Sequence, residues 1–270
     1  MVNTGVGKAR GVLKAPASPC AFEHVRLAPA AALGDLVEHF WMVRWDLGAH
    51  PPQQRETLPH PNVHIVFERG CSRIFGVHAA RFTRVLEGAG CVFGVKFRAG
   101  GFRPFLGRPV VSLSETSLPL PALFGTTAAT LEQDVLAGTD ATAMAEVATR
   151  FLLAHRPPPD PQVERVATIV AGIARDRDLT RVEQLVERHA LGKRALQRLF
   201  SEYVGVSPKW VIARYRLHEA IEQLAAGAPP DWAALALQLG YFDQAHFIRD
   251  FRKLVGRTPG DYARALNASG

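Results

Sequence analysis

A chain of 270 residues exceeds the usual single core of about 100 to 200 residues, and its 47% hydrophobic and 21% charged content reads as two packed globular domains. No run of about 18 apolar residues exists, which excludes a helical membrane span, and MVNTGVGKARGVLKAPASPC lacks the apolar stretch of a secretory signal, so a cytoplasmic, nucleoid-associated location is expected. The net charge is +7, but 16 Lys and Arg against 12 Asp and Glu from Pro161 onward carry +4 of it, so charge alone points neither half at a polyanion.

Residues 1–20 are expected to form a flexible N-terminus. Residues 21–155 begin with short β-branched and aromatic segments, HFWMVRWDL, NVHIVFE and CVFGVKFR, broken by Gly and Pro at the spacing of an antiparallel barrel or sandwich. From Ala128 to His155 the period becomes helical, with Leu131, Val135, Leu136 and then Met144, Val147, Phe151, Leu152, interrupted near Gly138-Thr139-Asp140. These two helices are expected to cover the β domain, with a homodimer face as the sharper alternative. The proline cluster at 156–161 bars helix formation across itself and is read as the linker to a domain over 162–266.

Beyond the linker, Val163, Val166, Ile169, Val170 and Ile173 form one helical stripe and Val182, Leu185 and Val186 another. Sliding this half against itself by 51 residues lays LQRLFSEYVGVSP (Leu196 to Pro208) on FIRDFRKLVGRTP (Phe247 to Pro259). Arg198 meets Arg249, Phe200 meets Phe251, Gly205 meets Gly256 and Pro208 meets Pro259, while upstream Leu185 falls on Ala236 and Leu191 on Phe242. Glycine ends a helix in the left-handed conformation, and Ser/Thr-Pro starts the next. Two copies of one helix-turn-helix unit are expected, joined by an unbroken helix from Pro208 to Ala225 that ends at Gly227, with Asp231 capping the next helix.

In the first unit Leu196, Leu199, Phe200 and Tyr203 face the core, leaving Lys193, Arg194, Gln197, Arg198 and Ser201 outside. In the second Phe247, Ile248, Phe251 and Leu254 or Val255 face inward, leaving Gln244, Ala245, His246, Arg249, Arg252 and Lys253. Arg forks onto guanine O6 and N7 and Gln onto adenine N6 and N7, so both outer faces suit a major groove. At about 1.5 Å per residue the connecting helix spans about 27 Å, near the roughly 34 Å between successive major-groove faces.

These residues resemble the AraC/XylS family of bacterial transcription regulators from about Pro161 to Leu266, most specifically over ALALQLGYFDQAHFIRDFRKLVGRTPGDYAR (Ala234 to Arg264). By position, the resemblance implies base reading by Arg194, Gln197, Arg198, Gln244, Ala245, His246 and Arg249, with phosphate contacts from Lys193, Ser201, Arg252 and Lys253. Ala245 could touch only a thymine methyl group. Ala190, where the family often has Gly, and Gly192, where it often has Ser, depart from the pattern of the first turn. The resemblance implies an α+β multidomain protein, a cupin-like β barrel or sandwich followed by helices and then an all-α double helix-turn-helix. Its partners would be a double-stranded operator spanning two adjacent major grooves, an unidentified small-molecule effector, RNA polymerase and a second copy of the chain, with no membrane and no cofactor.

Other constellations are weaker. His60 and His64 with Glu68 suggest a metal set, but Pro61 breaks a helix there and the segment reads as a strand, so no metal is expected. His78, Arg81 and Arg84 read as a solvated hairpin, and Gly100-Gly101 beside Lys96, Arg98 and Arg103 as a possible anion turn. Cys71 and Cys91 read as core thiols, with redox sensing the sharper alternative, and three widely spaced cysteines do not form a disulfide framework. No catalytic arrangement stands out, so the chain is not read as an enzyme. A metal or enzyme site in the β domain and a nucleoid-type binder without sequence preference are the competing readings.

Overall fold

The computed structural model describes residues 2–4, 21–227 and 231–267. Nine strands are described: β1 (Val2–Thr4), β2 (Ala21–Leu27), β3 (Val37–Asp46), β4 (Gln53–Thr57), β5 (His64–Phe67), β6 (Arg73–Phe75), β7 (Phe82–Leu86), β8 (Ala89–Phe97) and β9 (Ser117–Pro119). Seven form one sheet in the order β1-β2-β3-β8-β5-β6-β9, and β4 pairs with β7 in a separate ribbon. β1 runs parallel to Val25–Leu27, so these three residues are ordered structure where a flexible terminus was expected; the rest of that expectation, with Cys20, lies outside the described residues.

Alternation in β3 decides which side each residue serves. Phe40 and Met42 enter the main core with Ile65, Phe67, Phe93, Val95 and Phe97. Trp45, with Trp41 and Val43 beside it, lies in a second layer against Leu86 and Val92. β8 is therefore buried on both faces, which its nearly unbroken apolar run reflects.

α1 (Arg103–Leu106) and α2 (Pro121–Phe124) are single turns, followed by α3 (Leu131–Leu136) and α4 (Ala141–Ala154). The break between the last two falls where Gly138 to Asp140 predicted it. Asp140 caps α4 by accepting from the Ala143 amide at 2.9 Å, and Met144, Ala148 and Leu152 close the main core.

The chain leaves α4 at Ala154, passes the prolines and enters α5 (Pro161–Arg175); α6 (Val182–His189), α7 (Lys193–Tyr203), α8 (Pro208–Ala225), α9 (Trp232–Gln238), α10 (Gln244–Val255) and α11 (Pro259–Asn267) follow. Two cores form. Val166, Ile169, Leu185, Leu196, Phe200, Val211 and Ile212 fill the first, and Leu217, Ile221, Leu235, Phe247, Phe251 and Leu254 the second. α8 serves both, its amino-terminal half in one and its carboxyl-terminal half in the other. Packing on several sides also buries its Arg214, Arg216, His218 and Glu219, which its apolar stripe did not predict.

The β domain packs on both helical cores. Ala99 joins the first and Leu58 the second. Arg98 and Arg103 pair with Glu164 and Glu202 at 3.1 and 2.6 Å, and Tyr203 donates to Asp160 at 2.7 Å. Burial and that hydrogen bond push the Tyr203 phenol up to about 12. These contacts correct three expectations. Gly100-Gly101 is not an anion turn, because the Gly101 amide already donates to Arg98 O at 2.8 Å and the flanking arginines are spent on carboxylates across the interface. The segment with His78, Arg81 and Arg84 is not merely solvated: Arg81 donates to Val255 O and pairs with Glu56, and Arg84 pairs with Glu68. Cys71 is exposed rather than a core thiol, because the Glu68–Ser72 turn carries it outward, whereas Cys91 is half-buried against the main core.

The two histidines weighed as metal ligands serve different surroundings. His60 stacks edge-on against His218 of α8 at 4.6 Å, while His64 sits in β5 opposite Lys96 and edge-on to Trp41 at 6.4 Å. Burial, with Lys96 nearby, holds the His64 imidazole down to about 3, which keeps it neutral.

Candidate nucleic-acid interface

Both units turn by the same device, in slightly different lengths. After α6, Ala190 takes the left-handed conformation (φ 49°) and the Leu191 amide returns to Val186 O at 3.2 Å. After α9, Gly240 does the same (φ 81°) and the Tyr241 amide returns to Ala236 O at 2.9 Å. Alanine there costs about 1 kcal/mol that glycine avoids. α7 then starts at Gly192, which gives no side-chain cap, whereas α10 starts at Asp243, whose carboxylate accepts from the His246 amide at 2.7 Å.

Matching these hydrogen bonds corrects the gapless repeat upstream of α7 and α10. Leu191 corresponds to Tyr241, not Phe242, and Leu185 to Leu235, not Ala236. The second turn is one residue longer, and Phe242 is the addition. Downstream the match holds, with Gly205 (φ 89°) and Gly256 (φ 83°) ending α7 and α10.

Arg194, Gln197 and Arg198 are exposed on α7, with Lys193 beside them and Ser201 half-buried. Gln244, Ala245, His246, Arg249, Arg252 and Lys253 are exposed on α10. Lys193 is held by Glu183 at 3.1 Å, and His246 lies 3.7 Å from Asp250 with its ring against Tyr241. Arg194, Gln197, Arg198, Gln244, Arg249, Arg252 and Lys253 make no side-chain hydrogen bond or ion pair among the described residues. Arg98, Arg103, Arg177 and Arg188, by contrast, each meet a carboxylate. Positive charge without an ion-pair partner is thus present on the outer faces of both α7 and α10, which net charge could not reveal. Guanidinium and amide donors left free on one helix face are available to phosphate oxygens and base edges.

The 18 residues of α8 separate the two faces. Ser207 caps this helix by accepting from the Trp210 amide at 3.2 Å, and Pro208 opens it. Arg214 stacks over Trp210 at 4.5 Å and donates to Ala79 O at 2.8 Å, and burial lowers its guanidinium to about 10.

Residues 185–265 match a family described as a helix-turn-helix domain, and residues 25–119 match one described as a domain of unknown function (DUF6597). The chain is 28% identical over 86 residues to an uncharacterized HTH-type transcriptional regulator of Haemophilus influenzae, covering 32% of this chain and 28% of that protein. It is 30% identical over 83 residues to a putative AraC-like transcription regulator of Streptomyces antibioticus, covering 31% and 27%. The match thus spans less than a third of either relative's length. Among solved structures, a probable AraC family transcriptional regulator from Rhodopseudomonas palustris is similar at 27% identity and a TM-score of 0.34, over 38% of this chain and 97% of that one. ToxT from Vibrio cholerae is similar at 11% identity and a TM-score of 0.39, over 90% and 97%. No described helix is long and apolar enough to cross a membrane.

Proposed function

Residues 185–265 are a helix-turn-helix domain of the AraC type, and from that premise we propose that the protein is a sequence-specific DNA-binding transcription regulator. α7 and α10 enter successive major grooves of one operator. The reading is carried by two exposed helix faces bearing unpartnered Arg and Gln, set apart by one continuous helix. Arg194, Gln197 and Arg198 read bases in one half-site; Gln244, Ala245, His246 and Arg249 read the other; Lys193, Ser201, Arg252 and Lys253 hold phosphates. Residues 162–266 form the DNA-binding domain, 156–161 the linker and 21–155 a domain that senses a small molecule.

Selection of bound sequences from random duplexes tests this reading. Two blocks of preference should emerge, about 10 base pairs from centre to centre. Arg198→Ala and Arg249→Ala should each cost about 1 to 3 kcal/mol and relax one position. Equal losses on cognate and scrambled duplexes would make both residues phosphate contacts and the protein a binder without sequence preference.

Control by the first domain has a physical route. Ser114 Oγ donates to Gly205 O at 2.6 Å, and Arg81 donates to Val255 O, so the β domain grips the carboxyl-terminal stop of each recognition helix. Such a double grip fixes the spacing of α7 and α10, and a ligand that shifted the sheet would shift that spacing. Ser114→Ala combined with Arg81→Ala should therefore relax spacing discrimination. Inserting one base pair, about 3.4 Å, between the half-sites should weaken the wild type by about tenfold or more and the double variant by much less. Identical spacing profiles would remove the grip from the mechanism.

A further inference from the structure

Phe242 is 89% exposed, more than any other large apolar side chain among the described residues. Its neighbours have clear structural roles. Tyr241 is 8% exposed in the second helical core, and Asp243 caps α10. The first unit passes directly from Leu191 to its cap Gly192, so the turn closes without a residue at this place. Neither core packing nor capping requires Phe242, and a phenyl group left in water has no stabilising role in the isolated protein.

Its position supplies one. Phe242 stands at the amino end of α10, the end of a recognition helix that approaches base edges. Ala245, also exposed, lies in the first turn of the same helix. On the same helix Gln244 and Arg249 are exposed and without partners, and Arg252 and Lys253 follow in its last turn, donors that complement a polyanion and not an apolar protein groove. In the major groove one base edge carries an apolar group, the 5-methyl of thymine. We infer that Phe242, with Ala245, reads a thymine in the second half-site by apolar contact with its 5-methyl group. This inference rests on the DNA-binding reading and adds to it a residue and a base identity. In the first unit the residue before the cap Gly192 is Leu191, half-buried against the first helical core, so no exposed apolar side chain precedes Arg194 and Gln197 and the two half-sites are read by different chemistry.

Full-length protein and its best selected duplex provide the test, with each thymine of the second half-site replaced in turn by deoxyuridine, which removes only the methyl group. The wild type should lose about fourfold at one thymine, the change that burying one methyl group carries. Phe242→Ala should bind the thymine duplex more weakly and be indifferent to deoxyuridine there, while Phe242→Leu should keep part of the discrimination. Helical content should be unchanged in both, since the side chain is exposed. Wild-type affinity that ignores every deoxyuridine, or discrimination that survives in Phe242→Ala, would overturn the inference while leaving DNA binding intact. Unaltered DNA binding by Phe242→Ala combined with lost transcriptional response would also overturn it, assigning Phe242 and the 66% exposed Leu237 to a protein partner. Failure of the wild type to select any sequence would instead remove the underlying reading.

Discussion

Cutting Phe251 back to alanine should unfold the second helix-turn-helix unit and leave the first standing, and Phe200→Ala should do the reverse. Both rings are fully buried, and deleting such a ring costs about 3 to 5 kcal/mol because the cavity closes only in part. Phe251 packs edge-on against Phe247 and Tyr262, with ring centroids at 5.7 and 5.9 Å, whereas Phe200 packs among Leu185, Leu196 and Val211. The residues occupy matching places in the repeat but belong to separate cores. Amide exchange should therefore lose protection in α9 to α11 for one variant and in α5 to α7 for the other. Each variant should also lose one half of the selected sequence. If either substitution removed protection throughout the helical half, the two units would be one cooperative body, and reading the half-sites separately would be wrong.

Arg216→Ala should destabilise the helical half by a similar amount, about 3 to 5 kcal/mol, for an electrostatic reason. Arg216 is 2% exposed, donates to Ile173 O at the end of α5 at 2.7 Å, and pairs with Glu219 at 3.2 Å. Without it the α5 carbonyl loses this donor, and the buried Glu219 retains Arg177, at 3.4 Å and largely exposed, as its ion-pair partner. Removing both charges together, as Arg216→Met with Glu219→Leu, should recover most of the loss, since an apolar pair of similar volume requires no compensation. Urea denaturation of the single and double variants distinguishes the outcomes. A double variant no more stable than the single one would mean that Arg216 acts through its aliphatic packing and the Ile173 bond, with Glu219 incidental.

Much of the helical half was legible in the sequence because its signals are local. Pro208 and Ala225 bound α8 as expected, Asp231 caps α9, and the apolar stripes of α5, α7 and α10 face the cores. Ala190 and Gly192, which depart from the family pattern, keep the turn by adopting the required backbone conformations without the favoured side chains. The turn lengths were misread where a gapless comparison placed Leu191 on Phe242. Apolar identity aligned them, but hydrogen bonding from the left-handed residue aligns Leu191 with Tyr241.

By itself the sequence determined the segments that become β3, β5 and β8, the helices from α3 to α11, the duplicated unit and the outer faces of α7 and α10, because periodicity, caps and glycine stops act within a few residues of where they are written. The tertiary structure decided what depends on distant neighbours. It brought Arg81 and Ser114 to the matching ends of the two recognition helices, buried Arg214, Arg216 and Glu219 on a helix packed from several sides, spent Arg98 and Arg103 on carboxylates, and left Arg194, Arg198 and Arg249 without them. A charged residue reads the same in sequence whether it is paired, buried or free. Only the packing that supplies or withholds a partner separates a structural arginine from one available to DNA.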